Sequence, residues 1–259
     1  DYHLIFETLN EPRLIGTGYE WWFNKWSIPS EVKDAIDCIN KLNQKAVDTI
    51  RATGSNNRGR LIMCPGYDAS IDGATVSGFK LPTDISGNKN RIAVSVHAYS
   101  PYNFAMNVGP GSTSAYTSSI KSELRDLFST LKSNFRDKGI PVVIGEFGGQ
   151  HTNGDVDEAT IMSYCTSKGV GYLGWSWKGN NSDMSYLDIA NSWDGSSLSS
   201  WGNTLINGSN GIKATSKTCS VYSGSGSSSG GSSSGGSSSG TSTDSNGGVL
   251  GLDGTYYIK

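Results

Sequence analysis

Residues 3–12 read His-Leu-Ile-Phe-Glu-Thr-Leu-Asn-Glu-Pro, and residues 141–148 read Pro-Val-Val-Ile-Gly-Glu-Phe-Gly. Each is a short, mostly apolar run with a glutamate at its end, which is typical of a buried strand that leads into a loop. Similar runs cover residues 60–64, 92–96 and 170–177. Apolar residues at three-to-four spacing predict helices between them, over about 30–53 and 116–138, and a short helix is expected over 157–168. Strands that alternate with helices form parallel βα units, so the sequence predicts an α/β fold, as part of a (β/α)8 barrel.

The first predicted helix has clear boundaries. Ser30 is a candidate N-cap, because its side chain is of the type that accepts hydrogen bonds from the first helical N–H groups. Gly54 stands where a helix often ends in the left-handed conformation. We therefore expect Ser30 to cap the helix and Gly54 to end it.

The composition excludes some classes of partner. Charged residues make up 17% of the 259 residues, and the formal net charge is −2. Proteins that bind nucleic acid or an anionic membrane surface usually carry a basic excess, so we predict neither partner. No run of residues is long and apolar enough to predict a membrane span. The 7 Trp and 12 Tyr residues offer flat apolar faces of the kind that suit sugar rings.

The four cysteines, Cys38, Cys64, Cys165 and Cys219, include no C-x-x-C pair. The spacing matches neither a zinc site nor a dense disulfide framework. The first three lie in predicted helices or strands, which favours buried free thiols, although one disulfide stays open.

The C-terminal part of the chain differs in composition from the rest. Residues 223–247 are almost entirely Ser and Gly and predict a flexible, disordered linker, because such a segment has too little apolar surface to fold. Residues 248–259 are apolar and β-rich again, as in the first strand of another module. The predicted organisation is therefore a barrel segment over 1–222, a linker and a β-module stub.

Glu11 and Glu146 stand directly after two predicted strands. In a parallel barrel both lie at the carboxyl-terminal ends of the strands, where active sites are built. Two carboxyl groups that face each other across a sugar linkage are the usual requirement for glycoside hydrolysis. Carboxylates at strand ends also cap helices and bind metals, so position alone leaves these alternatives open.

The motifs decide between these alternatives. Leu-Asn-Glu-Pro at 9–12 together with Ile-Gly-Glu-Phe-Gly at 144–148 resembles glycoside hydrolase family 5, and the resemblance covers about residues 1–220. It implies retaining hydrolysis, with Glu11 as general acid/base and Glu146 as nucleophile. It also implies that Asn10 bonds the sugar 2-hydroxyl, and that no metal or organic cofactor is needed.

Four further residues are predicted to bind the substrate. His97 and Tyr99 end the third strand, and the resemblance implies that they hold the sugar and the nucleophile. Trp175 and Trp177 fall at the end of the fifth strand, at the position of the family's sugar-stacking tryptophan. Side chains alternate along a strand, so Trp175 is the first choice and one of the two is expected only to pack.

The resemblance changes branch along the chain. Residues 1–105 are similar to endoglucanases and xyloglucanases, whereas residues 146–219 are similar to bacterial β-mannanases. An endo-β-1,4-glucanase of plant cell-wall polysaccharide is therefore expected, with a mannanase as the alternative. A catalytically silent carbohydrate-binding protein is the alternative from another class.

The resemblance also bears on what surrounds this segment. The family barrel places three strands ahead of the Asn-Glu-Pro strand, so the chain is expected to hold strands 4 to 8 and to be inactive without the others. Residues 252–259 resemble the opening of a ricin-type β-trefoil lectin. Together these features predict a secreted, monomeric polysaccharide-degrading enzyme with a tethered carbohydrate-binding module.

Overall fold

A computed structural model describes residues 4–22, 24–88, 90–99, 118–148, 158–182 and 184–217. The predicted linker and β-module stub lie outside these residues. The strands, in chain order, are β1 (Phe6–Glu7), β2 (Ile62–Pro65), β3 (Ile92–His97), β4 (Val142–Glu146) and β5 (Gly171–Tyr172). The helices are α1 (Ser30–Ala52), α2 (Ile71–Thr75), α3 (Ser118–Asn134), α4 (Glu158–Lys168), α5 (Ser200–Asn207) and α6 (Ile212–Thr215).

The five strands form one sheet in chain order, and every neighbouring pair is parallel. Each of the four connections between consecutive strands contains a helix, α1 to α4 in chain order, as in a βα barrel. The predicted α/β class and the partial (β/α)8 barrel are confirmed. None of the helices among the described residues is long and apolar enough to cross a membrane.

The main core lies between the sheet and its helices. Alternate residues of β3 and β4, among them Val94, Val96 and Ile144, pack against the buried faces of α3 and α4. The other face of the sheet carries a smaller apolar cluster that includes Met63 and Val143. The helix-facing side of the sheet therefore holds most of the buried apolar surface.

The start of α1 differs from the prediction. Pro29 occupies the N-cap position without a side-chain cap, and Ser30 is already helical. The Ser30 hydroxyl donates to Glu31 Oε2 at 3.0 Å instead of accepting from the helix. The predicted Ser30 cap is wrong, because the helix begins one residue earlier than expected. The end is as predicted, since Gly54 takes a φ of +71° and donates its N–H to the carbonyl of Arg51.

Two strands are shorter than predicted. β1 covers only Phe6–Glu7 of the predicted 3–9, and β5 covers only Gly171–Tyr172 of the predicted 170–177. The backbone turns away from β4 after Trp175, since Ser176 donates to the carbonyl of Leu187 at 3.1 Å. The segment that carries both predicted sugar-binding tryptophans is therefore a loop.

The three described cysteines are free thiols. Cys64 and Cys165 are buried as predicted, and burial raises the pKa of Cys64 to about 12. Cys38 is exposed, so its predicted burial is wrong. It lies on α1 between two buried isoleucines, and the helical period turns it outward. Cys219 lies outside the described residues.

Candidate active site

Three strand ends bring the candidate catalytic residues together. His97 and Glu146 are the last residues of β3 and β4, and Glu11 follows β1 by four residues. A register shift after Val96 sets His97 directly opposite Glu146. Because the strands are parallel, all three side chains meet at the carboxyl-terminal ends of the strands.

Distances confirm that this is one cluster. One carboxylate oxygen of Glu11, one of Glu146 and a ring nitrogen of His97 lie within 4.8 Å of one another. His97 Nδ1 is 2.6 Å from Glu11 Oε1 and 3.6 Å from Glu146 Oε2. The Tyr99 hydroxyl donates to Glu146 Oε2 at 3.1 Å. Four of the residues predicted from sequence are therefore in contact around one point.

Gly145 explains how β3 and β4 pack so closely here. A Cβ at this position would lie 2.8 Å from the Ser95 hydroxyl and 3.3 Å from His97 Nε2. A side chain would therefore push on the histidine that links the two glutamates. The glycine before Glu146 is required by this close approach.

Arg13 is a neighbour of Glu11 whose role the sequence reasoning missed. Its Nη1 donates to Glu11 Oε2 at 3.1 Å and to the Glu11 carbonyl at 3.2 Å. The same nitrogen is 3.4 Å from Asp68 Oδ1, and Nε donates to Glu20 at 3.4 Å. The available signal was its position, directly after Asn-Glu-Pro. Asp68 gave no such signal, because only the folded chain brings it beside Arg13.

The loop that carries Asp68 is tightly fixed. Asp68 and Ala69 have φ values of +54° and +47°, in the left-handed region that non-glycine residues rarely occupy. The Asp68 N–H donates to the carbonyl of Pro12 at 2.8 Å. A Cβ on Gly73 would lie 2.0 Å from the carbonyl oxygen of Tyr67. The loop holds a buried carboxyl group against the segment that carries Glu11.

Electrostatics divide the two candidate glutamates. The hydrogen bond from His97 lowers the pKa of Glu11, and Arg13 acts in the same direction. Burial raises the pKa of Glu146, and the nearby Glu11 carboxylate adds to this effect. Burial opposes the protonation of His97, but Glu11 and Glu146 outweigh it, so the pKa of His97 is raised. In the free site, Glu11 is therefore the stronger acid of the two and Glu146 the weaker.

Asp68 is a further perturbed carboxyl group at the edge of the cluster. Burial raises its pKa to about 7, and the charge of Glu11 contributes. The Arg13 guanidinium acts in the opposite direction without overcoming burial. Asp68 is therefore largely protonated below neutral pH.

Glu11, His97 and Glu146 also form the group of acidic and histidine side chains, among the described residues, that is close enough to share a metal ion. The Arg13 guanidinium already lies on Glu11, and the Tyr99 hydroxyl donates to Glu146. A cation at this point would face the positive charge of Arg13. The sequence-based expectation that no metal is needed stays a prediction.

The remaining predicted residues lie around this cluster. Asn10 is exposed beside Glu11. Trp175 is fixed at the end of β4, because its N–H donates to the carbonyl of Phe147 at 2.9 Å and its carbonyl accepts from the Trp201 indole at 3.1 Å. Trp177 follows in the loop, and both indoles are exposed, at 41% and 43%. Neither tryptophan is a buried packing residue.

Parallel strands with paired carboxylates at their carboxyl ends define this chain as part of a (β/α)8-barrel protein with a glycosidase-like site. Residues 1–181 match the family described as Cellulase (glycosyl hydrolase family 5). The chain belongs to glycosyl hydrolase family 5.

Relatives of two kinds are found. Endoglucanase A of Clostridium longisporum is 44% identical over 165 residues, which are 63% of this chain and 30% of the relative. A mannan endo-1,4-beta-mannosidase of Streptomyces lividans is 52% identical over 106 residues, 41% of this chain and 27% of the relative. Both branches of the expected resemblance are thus present among the relatives, while the assignment of each branch to a part of the chain stays a prediction.

The fold agrees with that of solved family members. A family 5 lichenase from Caldicellulosiruptor sp. F32 superposes with a TM-score of 0.66 at 38% identity, covering 74% of this chain and 53% of the lichenase. A mutant of that lichenase is known in complex with cellotetraose. The chain therefore spans about half the length of this solved relative and about a third of the curated relatives.

Proposed function

We propose that this chain carries the catalytic pair of a retaining, endo-acting glycoside hydrolase that cleaves internal β-1,4 linkages. The observation that carries the proposal is the short distance between Glu11 and Glu146, since a carboxylate oxygen of one lies within 4.8 Å of a carboxylate oxygen of the other. Retaining enzymes hold their two carboxyl groups roughly 5–5.5 Å apart, whereas inverting enzymes need roughly 6.5–9.5 Å to admit a water molecule. The close spacing favours the double-displacement mechanism.

The proposed reaction has two steps, in which a glycosyl ester forms on the enzyme and is then hydrolysed. In the first, a Glu146 oxygen bonds to the anomeric carbon, the glycosidic bond breaks, and Glu11 gives its proton to the leaving oxygen. In the second, Glu11 takes a proton from water, the water oxygen bonds to the anomeric carbon, and Glu146 is released. Tyr99 supports the first step, since its hydroxyl donates to Glu146 and orients the carboxylate.

In the free site, the directions of the two pKa shifts are the reverse of what the first step requires. Glu11 must be protonated to act as the acid, yet His97 and Arg13 favour its charged form. A bound sugar would cover Glu11, which is half-buried, and desolvation raises the pKa of a carboxyl group. Substrate binding would therefore shift the pKa of Glu11 toward that of a general acid. The role of each glutamate rests on the resemblance of the Asn-Glu-Pro motif to that of family 5, and covalent labelling of the nucleophile tests it directly.

The proposed substrate is a β-1,4-glucan or xyloglucan of plant cell walls. Support comes from the endoglucanase and lichenase relatives. Mannan is the second candidate, because the Streptomyces mannosidase is 52% identical over its shorter match. Both polymers present the same linkage type to the paired carboxylates.

The remaining features of the proposed enzyme rest on the sequence. Residues 1–222 belong to the barrel, residues 223–247 tether it, and residues 248–259 begin a lectin-like carbohydrate-binding module. The proposed enzyme is secreted, because a cell-wall polymer is too large to enter the cell. It is proposed to act as a monomer. Polysaccharide is its partner, and it needs neither nucleic acid nor a membrane.

The test is reducing-sugar release by the natural protein on carboxymethylcellulose, xyloglucan and galactomannan. Release from the first two supports the glucanase, and release from galactomannan alone supports the mannanase. Glu146→Ala and Glu11→Ala serve as matched controls and are expected to abolish release. Binding to these polymers without any release by the natural protein would replace the enzyme with a silent carbohydrate-binding protein.

A further inference from the structure

Two loops beyond β5 interlock through tryptophan and glycine. We define them as the paired loops, residues 177–180 and 191–197. The Trp177 indole donates to the carbonyl of Trp193 at 3.0 Å. A Cβ on Gly195 would lie 2.8 Å from the Trp177 ring, and a Cβ on Gly179 would lie 2.9 Å from the Trp193 ring. Each indole therefore packs against the glycine of the opposite loop.

The paired loops are fixed by polar contacts. Asp188 accepts from the Asn180 amide side chain at 2.6 Å and from its backbone N–H at 3.1 Å. Asn191 donates its N–H to the carbonyl of Ser197 at 2.8 Å. Both packed glycines take positive φ values, +103° and +72°, which strain other residues. The indoles are thus held in place before any ligand arrives.

These two indoles are nevertheless open to solvent. Trp193 is 69% exposed and Trp177 is 43% exposed. An indole that contacts a fixed glycine and is still exposed offers apolar ring surface to a ligand at little further entropic cost. Such a surface suits the apolar C–H side of a pyranose ring.

Other exposed tryptophans lack this arrangement. Trp21 lies under the Arg13 guanidinium at 4.3 Å, and Trp26 lies near the Lys25 ammonium at 5.5 Å. A cation therefore already lies against each of these rings. The paired loops differ because their indoles are backed by glycine.

The position of the paired loops connects them to the candidate active site. Trp177 lies two residues after Trp175, whose N–H donates to the carbonyl of Phe147. Phe147 directly follows Glu146. Through Trp175 and Phe147 the backbone thus links the loop of Trp177 to the strand end that carries Glu146, and the Trp177 indole in turn bonds the Trp193 carbonyl.

We propose that Trp193, with Trp177, forms an outer subsite that stacks against a further hexose of a β-1,4-linked chain. The inference rests on the proposed function, since it assigns the chain length that this same cleft binds. It predicts that the enzyme favours long oligosaccharides over disaccharides, because a sugar chain that fills an outer subsite as well as the site of cleavage needs the additional hexose units.

The test is oligosaccharide binding by calorimetry in a Glu146→Gln background, which prevents cleavage. Cellohexaose and mannohexaose are the long probes, and cellobiose and mannobiose are the short ones. Trp193→Ala is expected to weaken hexasaccharide binding about three- to tenfold, the range of an aromatic stacking contribution, and to leave disaccharide binding unchanged. The probe that shows the loss identifies the hexose.

Three more variants make the test specific. Trp193→Phe keeps an aromatic face and should lose less affinity than Trp193→Ala. Gly195→Ala keeps both tryptophans but displaces the Trp177 ring, so it should also weaken the hexasaccharide. Ile85→Ala removes an exposed apolar side chain from the loop before β3, at the amino-terminal ends of the strands. It should leave the affinity for both oligosaccharide lengths unchanged.

Unchanged hexasaccharide affinity in Trp193→Ala, or an equal loss for disaccharides, would overturn the subsite. If the natural protein still released sugar from polymer in that case, the proposed function would stand and only the subsite would fall. If the natural protein neither cleaved polymer nor bound either hexasaccharide, both proposals would fall.

Discussion

His97 Nδ1 lies 2.6 Å from Glu11 Oε1, within a site where the histidine is buried and the glutamate is half-buried. Because an ionised carboxylate only accepts hydrogen bonds, the hydrogen of this contact belongs to the histidine. The bond stabilises the charged form of Glu11 and is the largest cause of its lowered pKa. His97 therefore controls the charge of the glutamate that the proposed mechanism uses as an acid.

We predict that His97→Gln raises the pKa of Glu11, because the main contact that stabilises its charged form is altered and the imidazolium charge is lost. The measurement is a carbon NMR titration of labelled glutamate carboxyls. We also expect sugar release to fall at least about 100-fold, since the orientation of both carboxylates depends on this ring. Asp126→Asn, an exposed position on α3, is the matched control and should leave the Glu11 titration unchanged. A Glu11 pKa that stays the same or falls in His97→Gln would contradict the account.

Much of the barrel could be predicted from sequence because its elements obey simple periods. The five apolar runs and the three predicted helices fall where expected, and the glutamates at two strand ends meet as parallel pairing requires. Strand ends were harder to predict. Trp175 and Trp177 continue an apolar run, but the backbone after Trp175 pairs with residues near 187, a contact that no local pattern encodes.

The residues around Glu11 also differ in whether the sequence pointed to them. His97 carried a sequence signal, because it ends a strand beside the motif pair. For Arg13 the only signal was its position directly after Asn-Glu-Pro, and Asp68 carried none, since charged residues in loops are common. Their role depends on a left-handed turn that brings a distant carboxyl group against Arg13. Such tertiary placement lies beyond single-sequence reasoning.

Asp68→Asn should change how stability depends on pH. The pKa of Asp68 is about 7 in the folded chain and near its ordinary value of about 3.9 when unfolded. Between these values the folded state holds a proton that the unfolded state has released, so the wild-type free energy of unfolding falls as pH rises from about 4 to about 7. Asparagine cannot titrate and tolerates the positive φ.

The difference between Asp68→Asn and wild type should therefore grow in favour of the variant over this range, by at most about 4 kcal/mol. Urea unfolding at several pH values measures it. Asp126→Asn provides an exposed comparison with a flat difference. A constant offset between Asp68→Asn and wild type from pH 4 to pH 7 would show that Asp68 does not titrate as described.

Gly73→Ala should destabilise the loop that holds Asp68. The new Cβ would lie 2.0 Å from the carbonyl oxygen of Tyr67, a backbone atom that has no flexible side chain to move aside. We expect a loss of about 2 kcal/mol or more in the free energy of unfolding, as for other overpacked sites. Denaturant midpoints measure this loss. Gly59→Ala is the control, because nothing lies within 4 Å of its Cβ position and its φ is −112°. Equal midpoints for the two variants would rule out the described packing.

The central claim is that Glu146 is the nucleophile of a retaining pair and Glu11 its acid/base partner. The direct measurement is covalent trapping with a 2-deoxy-2-fluoro glycoside that carries a good leaving group, followed by mass spectrometry of the peptides. The fluorine slows the second step, so a glycosyl ester should accumulate on the carboxyl group that attacks the sugar. The account predicts one label, on the peptide that contains Glu146, and its loss in Glu146→Ala. A label on Glu11 would reverse the two roles, and a natural protein that hydrolyses the polymer with inversion and takes no label would contradict the retaining mechanism.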